Sequence, residues 1–85
     1  MPAISMFYGI VIYMYMKDHL PPHFHARYQG FEAIFDFEGE LLEGEMPRNQ
    51  VKLISAWATV HRDELEANWG LAKKRQPLFK INPLQ

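Results

Sequence analysis

The stretch that decides the fold is His23-Phe24-His25-Ala26-Arg27-Tyr28-Gln29-Gly30-Phe31-Glu32-Ala33-Ile34-Phe35-Asp36-Phe37. Two runs of alternating character flank Gln29-Gly30, a pair that reads as the two-residue turn of a β-hairpin, with glycine tolerating the positive φ such a turn demands. The turn fixes a register: Tyr28 opposite Phe31, Arg27 opposite Glu32, Ala26 opposite Ala33, His25 opposite Ile34, Phe24 opposite Phe35 and His23 opposite Asp36. Side chains alternate across a strand, so the hairpin sorts into two faces. Phe24, Ala26, Tyr28, Phe31, Ala33, Phe35 and Phe37 form the core side. His23, His25, Arg27, Glu32 and Asp36 share the other side, with only Ile34 among them.

Working outward, Ala3 to Phe7 and Ile10 to Met16 are rich in β-branched, aromatic and methionine side chains, and Gly9 supplies the reversal between them. In the second run Ile10, Ile12, Met14 and Met16 alternate with Val11, Tyr13 and Tyr15, which predicts a central strand covered on both sides. Lys17 to Pro22 is a loop carrying Asp18 and His19, because Pro21-Pro22 cannot donate backbone hydrogen bonds. Beyond the hairpin, Gly39 permits a turn into a short strand over Glu40 to Glu43. Pro47 suits a first helical position, and no further proline occurs until Pro77. At about 100° per residue Val51, Ile54, Trp57, Ala58, His61, Leu65, Trp69 and Ala72 gather on one face of a helix that is either continuous or broken near Thr59. His61 therefore points inward, toward a backbone group or Glu64. The tail from Pro77 alternates weakly at Phe79 and Ile81 and can add a short edge strand. The expected fold is α+β: a small antiparallel sheet of four or five strands, packed against one long or broken C-terminal helix, as a single domain over residues 1–85.

Composition supports a folded core, with 48% apolar and 14% aromatic residues in 85. Chains this short bury only ~60 to 65% of the surface their unfolded forms expose, so a homodimer or another partner is a reasonable expectation. Cysteine is absent, which removes disulfides, thiolate metal sites and cysteine nucleophiles, and a cytoplasmic address fits best. The apolar run from Ile4 to Met16 is interrupted by Ser5 and Gly9 and falls short of the ~20 residues a membrane span needs, so no membrane association is expected. Net charge is -1, yet the six acids from Glu32 to Glu45 stand apart from Lys73, Lys74, Arg75 and Lys80. No uniform basic face for a nucleic-acid duplex is present. With serine only at positions 5 and 55 and no glycine-rich phosphate loop, nucleophilic hydrolase and triphosphatase classes lose their support.

The run Asp18-His19-Leu20-Pro21-Pro22-His23-Phe24-His25 is the most specific signature in the chain. Together with Met1-Pro2-Ala3-Ile4-Ser5, Gly9-Ile10-Val11-Ile12, Leu42-Glu43-Gly44, Pro47-Arg48 and the Trp57, His61-Arg62, Glu64-Leu65, Asn68-Trp69 pattern, it resembles the bacterial domain-of-unknown-function 4160 family. The resemblance runs from Met1 to about Leu84. It implies no activity residue by residue. It does imply a place in small two-gene modules of toxin-antitoxin type, with a cognate, antitoxin-like small protein encoded nearby.

Three readings of the polar hairpin face stay open. In the first, His23 and His25, ~7 Å apart on one strand face, act as general base and acid in a metal-independent ribonuclease, with no cofactor. RNA supplies its own 2′-hydroxyl nucleophile, Arg27 stabilises the developing charge, and Asp36 opposite His23 holds one imidazole tautomer. In the second, His19, His23 and His25 bind zinc or another divalent metal, with His19 or Asp18 swinging in from the loop and Asp36 as a further oxygen donor. In the third there is no chemistry, and an exposed hairpin or the edge at Phe79 to Ile81 pairs with a partner protein.

Overall fold

The computed structural model describes residues 3–16 and 18–84; Lys17, at the start of the expected loop, lies outside the described residues with Met1, Pro2 and Gln85. Five antiparallel strands follow one another as a meander: β1 (Ala3–Phe7), β2 (Ile10–Tyr13), β3 (His23–Tyr28), β4 (Phe31–Asp36) and β5 (Leu41–Gly44), in spatial order β1-β2-β3-β4-β5. Two helices come after them, α1 (Arg48–Val60) and α2 (Arg62–Lys73).

The β3–β4 hairpin holds the expected register at all six pairs, from His23 opposite Asp36 to Tyr28 opposite Phe31. The left-handed residue of its turn is Gln29, at φ 53°, rather than Gly30. The β1–β2 turn places Tyr8 at φ 50° and Gly9 at φ 79°, the left-handed pair that a tight right-twisted hairpin needs.

Strand β2 is shorter than expected, and β5 begins at Leu41 rather than Glu40. Neither is β2 sandwiched. Both helices lie on one side of the sheet, in a single core of Ile4, Phe7, Ile12, Phe24, Phe35, Phe37, Ile54, Trp57, Leu65 and Trp69 among others. Tyr13, on the opposite side, is buried instead by side chains lying on the sheet: His25 stacks on its ring at 5.4 Å and Arg27 sits 5.6 Å from its centre.

Pro47 stands one residue before α1, as its N-terminal cap. The helical path breaks at His61, two residues beyond Thr59, where φ −111° and ψ 27° leave the helical range. The bend lets Trp57 reach Phe7 and Phe24, each ring at 5.5 Å, while Trp69 reaches Phe37 at 6.1 Å. Gly39 governs how closely α1 approaches: at φ 86° a β-carbon there would lie 2.8 Å from the Ser55 Cα, and Ser55 Oγ donates to the Gly39 carbonyl at 2.6 Å.

The tail beyond α2 runs beside β1 without forming a strand. The Ile81 N–H donates to the Ile4 carbonyl at 2.7 Å, and Trp57 Nε1 donates to the Asn82 carbonyl at 2.9 Å. Asn68, fully buried, binds Phe79 through both its backbone groups, at 2.9 and 3.0 Å. An amide in the helix thus satisfies backbone groups that a strand partner would otherwise have to meet.

Candidate metal centre

The loop between β2 and β3 folds back so that Asp18 lies over the start of β3. One oxygen, Asp18 Oδ2, faces His23 Nε2 at 2.8 Å and His25 Nε2 at 3.2 Å. The other, Oδ1, accepts from the His19 backbone N–H at 2.9 Å. Two imidazoles thus converge on one carboxylate oxygen, and the three ligand-type atoms lie within 4.8 Å of one another.

The ring of His23 is fixed at both nitrogens. Its Nδ1 lies 2.7 Å from the Pro21 carbonyl, and a carbonyl only accepts, so Nδ1 carries the hydrogen. In the neutral ring Nε2 then presents a lone pair to Asp18. Burial works to raise the Asp18 carboxyl, but hydrogen bonds from His25, the His19 N–H and His23 outweigh it and hold it below the usual carboxylate range. The group is therefore a carboxylate, and against a neutral His23 ring two lone pairs would meet at 2.8 Å. Such a contact requires a positive centre: a second proton on the imidazole or a metal ion.

Aromatic rings wall the cluster. His23 is only 3% exposed, with Trp69 at 5.4 Å, while His25 lies against Tyr13 and, edge-on at 4.5 Å, Tyr15. On its open side His25 borders a groove of about 240 Å³, shared with Tyr13, Glu32, Ala33, Ile34, Glu43 and Gly44. Within it the Tyr13 hydroxyl donates to Glu32 at 2.7 Å; burial and that bond push the phenol up to about 12. Glu32 is held below its usual range by Tyr13 and then by Arg27.

The residues expected from sequence separate into two groups. His23 and His25 come together as the hairpin register requires, and His19 stands beside them with its ring 5.3 Å from that of His23. Arg27 is on the same face but donates to Glu32 at 3.0 Å. Asp36 corrects the expectation: its Cα is opposite His23, yet its Oδ1 accepts from the Glu38 and Glu40 N–H groups at 2.9 Å each and caps the turn into β5. Backbone donors lie within reach of a short aspartate, whereas the His23 ring turns toward the loop. Asp18 and the Pro21 carbonyl take the positions expected of Asp36. The signal for Asp18 was present five residues before His23, in a loop stiffened by two prolines. His61 is no part of the cluster, being bonded to Glu64 at 2.5 Å and set against Trp57.

A family model described as "Domain of unknown function (DUF4160)" matches residues 9–70, a span that contains every residue of the cluster. No curated protein and no solved structure matches the chain. Among the described residues no helix is long and apolar enough to cross a membrane.

Proposed function

The chain belongs to the DUF4160 family, and from the geometry of its signature segment we propose that Asp18, His23 and His25 form a binding site for a divalent transition-metal ion, with zinc the first candidate. One observation carries this reading: both Nε2 atoms address the same Asp18 oxygen while the His23 Nδ1–H is committed to the Pro21 carbonyl. Ligands ~2.0 to 2.1 Å from one ion are ~2.9 Å apart when their bonds are at right angles and farther apart at tetrahedral angles. The 3.2 Å edge falls within that span and the 2.8 Å edge just under its lower end. A backbone carbonyl holding the far nitrogen is the outer support that metal-binding histidines use to fix tautomer and orientation. Two imidazoles and a carboxylate suit zinc, iron, manganese or nickel over magnesium or calcium, which favour all-oxygen sites.

The same geometry weakens metal-free cleavage of RNA. His23 has both ring nitrogens engaged and is buried, so it cannot touch a phosphodiester. Glu32 and Glu43 border the groove beside His25 and repel an anionic substrate. A toxin-type role by RNA cleavage, in a cytoplasmic two-gene module, would use a different division of labour, with the metal in place of the second histidine.

Metal analysis of the full chain without a histidine tag tests the proposal. One zinc per chain, lost in Asp18→Ala and in His25→Ala, is expected. A chain that shows no saturable binding of zinc, cobalt or manganese overturns it.

A second reading, a protein-binding module, has its own observation. The outer edge strand β5 is exposed at all four residues, with Leu41 at 39% and Leu42 at 48%, and Phe31 beside it is exposed as well. An edge of this kind accepts a partner strand by backbone pairing. Co-purification with the small protein encoded beside it, lost in a Leu41→Lys, Leu42→Lys variant, supports that reading; retention in the variant removes β5 as the contact.

A further inference from the structure

We propose that His19 is an exchangeable fourth ligand of the Asp18–His23–His25 centre. Swung in, it closes the coordination of the ion; swung out, it leaves a position for water or an incoming ligand. This rests on the metal reading above and adds regulation to the same site.

The first support is the direction of its ring. His19 Nδ1 lies 3.2 Å from the Leu20 carbonyl, which only accepts, so the hydrogen is on Nδ1 and the neutral ring keeps its lone pair on Nε2. His23 is set the same way by the next carbonyl along, that of Pro21. Two consecutive carbonyls of one loop therefore prepare two imidazoles, each with Nε2 as the donor atom for a metal.

Position is the second. His19 Nε2 stands 3.9 Å from Asp18 Oδ1, beyond a hydrogen bond, and its ring is neighbour to that of His23. It lies outside the three-atom cluster but directly beside it. Asp18 Oδ1 is itself bonded to the His19 backbone N–H, so the carboxylate and the base of the third imidazole are tied together.

Freedom is the third. The His19 side chain is 82% exposed, against 3% for His23 and 17% for His25. The two strand histidines are fixed by packing, whereas the His19 side chain is restrained by one exposed bond to a carbonyl of its own loop, which can move with it. Four protein ligands give the closed, tetrahedral form of zinc sites that serve structure, and three with one position open give the form that serves catalysis. His19 is placed to convert one into the other.

Cobalt loading of the tag-free full chain distinguishes the outcomes, because tetrahedral cobalt(II) absorbs visible light far more strongly than the six-coordinate ion. The wild-type chain is expected to show an intense tetrahedral band insensitive to added azide, and His19→Ala a shifted band that azide perturbs, because water takes the vacated fourth position, with affinity lower by about tenfold or more. Equal bands and equal affinity in the two proteins overturn the role of His19 and leave the three-ligand centre standing. No cobalt uptake by the wild-type chain removes the centre and its fourth ligand together. Because His19 is exposed, circular dichroism of the variant should match that of the wild type.

Discussion

Phe24 and His25 are consecutive in β3 and open onto the two faces of one sheet, and the faces are held together by different physics. Phe24 has no exposed surface and packs between Phe35, Phe37 and Trp57 at ring distances of 5.7, 6.4 and 5.5 Å. Its stabilisation comes from removing apolar surface from water, which needs volume and tolerates some imprecision in direction. His25, one residue on, is held by a carboxylate, a stacked phenol and an edge-on ring, all of which depend on direction. The helices cover the first face, and the second is closed mostly by its own side chains, with Trp69 of α2 reaching the His23 ring at 5.4 Å. Stability is concentrated on one side and chemistry on the other, which lets the second side carry polar groups that a two-sided core would exclude.

The sharpest way to break this contrast is to shorten both residues. Phe24→Ala should cost about 3 to 5 kcal/mol in urea unfolding, a large part of the ~5 to 15 kcal/mol typical of a whole domain. His25→Ala should give a far smaller shift of the midpoint while removing metal uptake. Comparable losses from the two would mean that both faces are structural.

A smaller effect concerns acid. The folded-state carboxyl of Asp18 lies below its ordinary value, so its contribution to stability is present above the unfolded carboxylate range and is lost as pH falls through the depressed value. Asp18→Asn should therefore flatten the acid limb of the stability curve of the metal-free chain, measured as the unfolding midpoint against pH. An unchanged acid limb would place that sensitivity elsewhere.

The smallest is at the alkaline end of the same face. Tyr13 titrates at about 12 instead of the ordinary 10.0 because it is buried and donates to Glu32. Its share of stability is intact below about 10 and is lost as pH rises from there to about 12. Glu32→Gln should lower the phenolate transition seen by ultraviolet absorbance and leave thermal stability nearly unchanged, since Arg27 and Glu32 are an exposed pair. A transition that stays at about 12 would assign the shift to burial alone.

Much of this molecule was legible in local pattern. The two-residue turn between alternating runs carried the whole β3–β4 register, because a hairpin turn leaves one residue count on each side and a slip by one would reverse every side chain. The helical stripe likewise placed Ile54, Trp57, Ala58, Leu65, Trp69 and Ala72 in the core. Other features depended on where separate elements meet. Whether β2 had a second covering layer was not readable from its alternation, because aromatic side chains on a single open face satisfy the same pattern as a sandwich. Buried Asn68 stood in a helix as an ordinary polar residue until the tail supplied Phe79 as its partner.

The division is clearest at the site. Sequence alone determined that His23 and His25 share one face, since strand periodicity needs no partner to hold. Only tertiary structure decided which acid meets them. Asp36 and Asp18 were both available, one across the hairpin and one across a proline-rich loop. The choice followed from side-chain reach: Asp36 closes on the nearby backbone of its own turn, while the loop brings Asp18 back over the rings. Alternation is a property of one strand, but the path of a loop depends on everything it packs against.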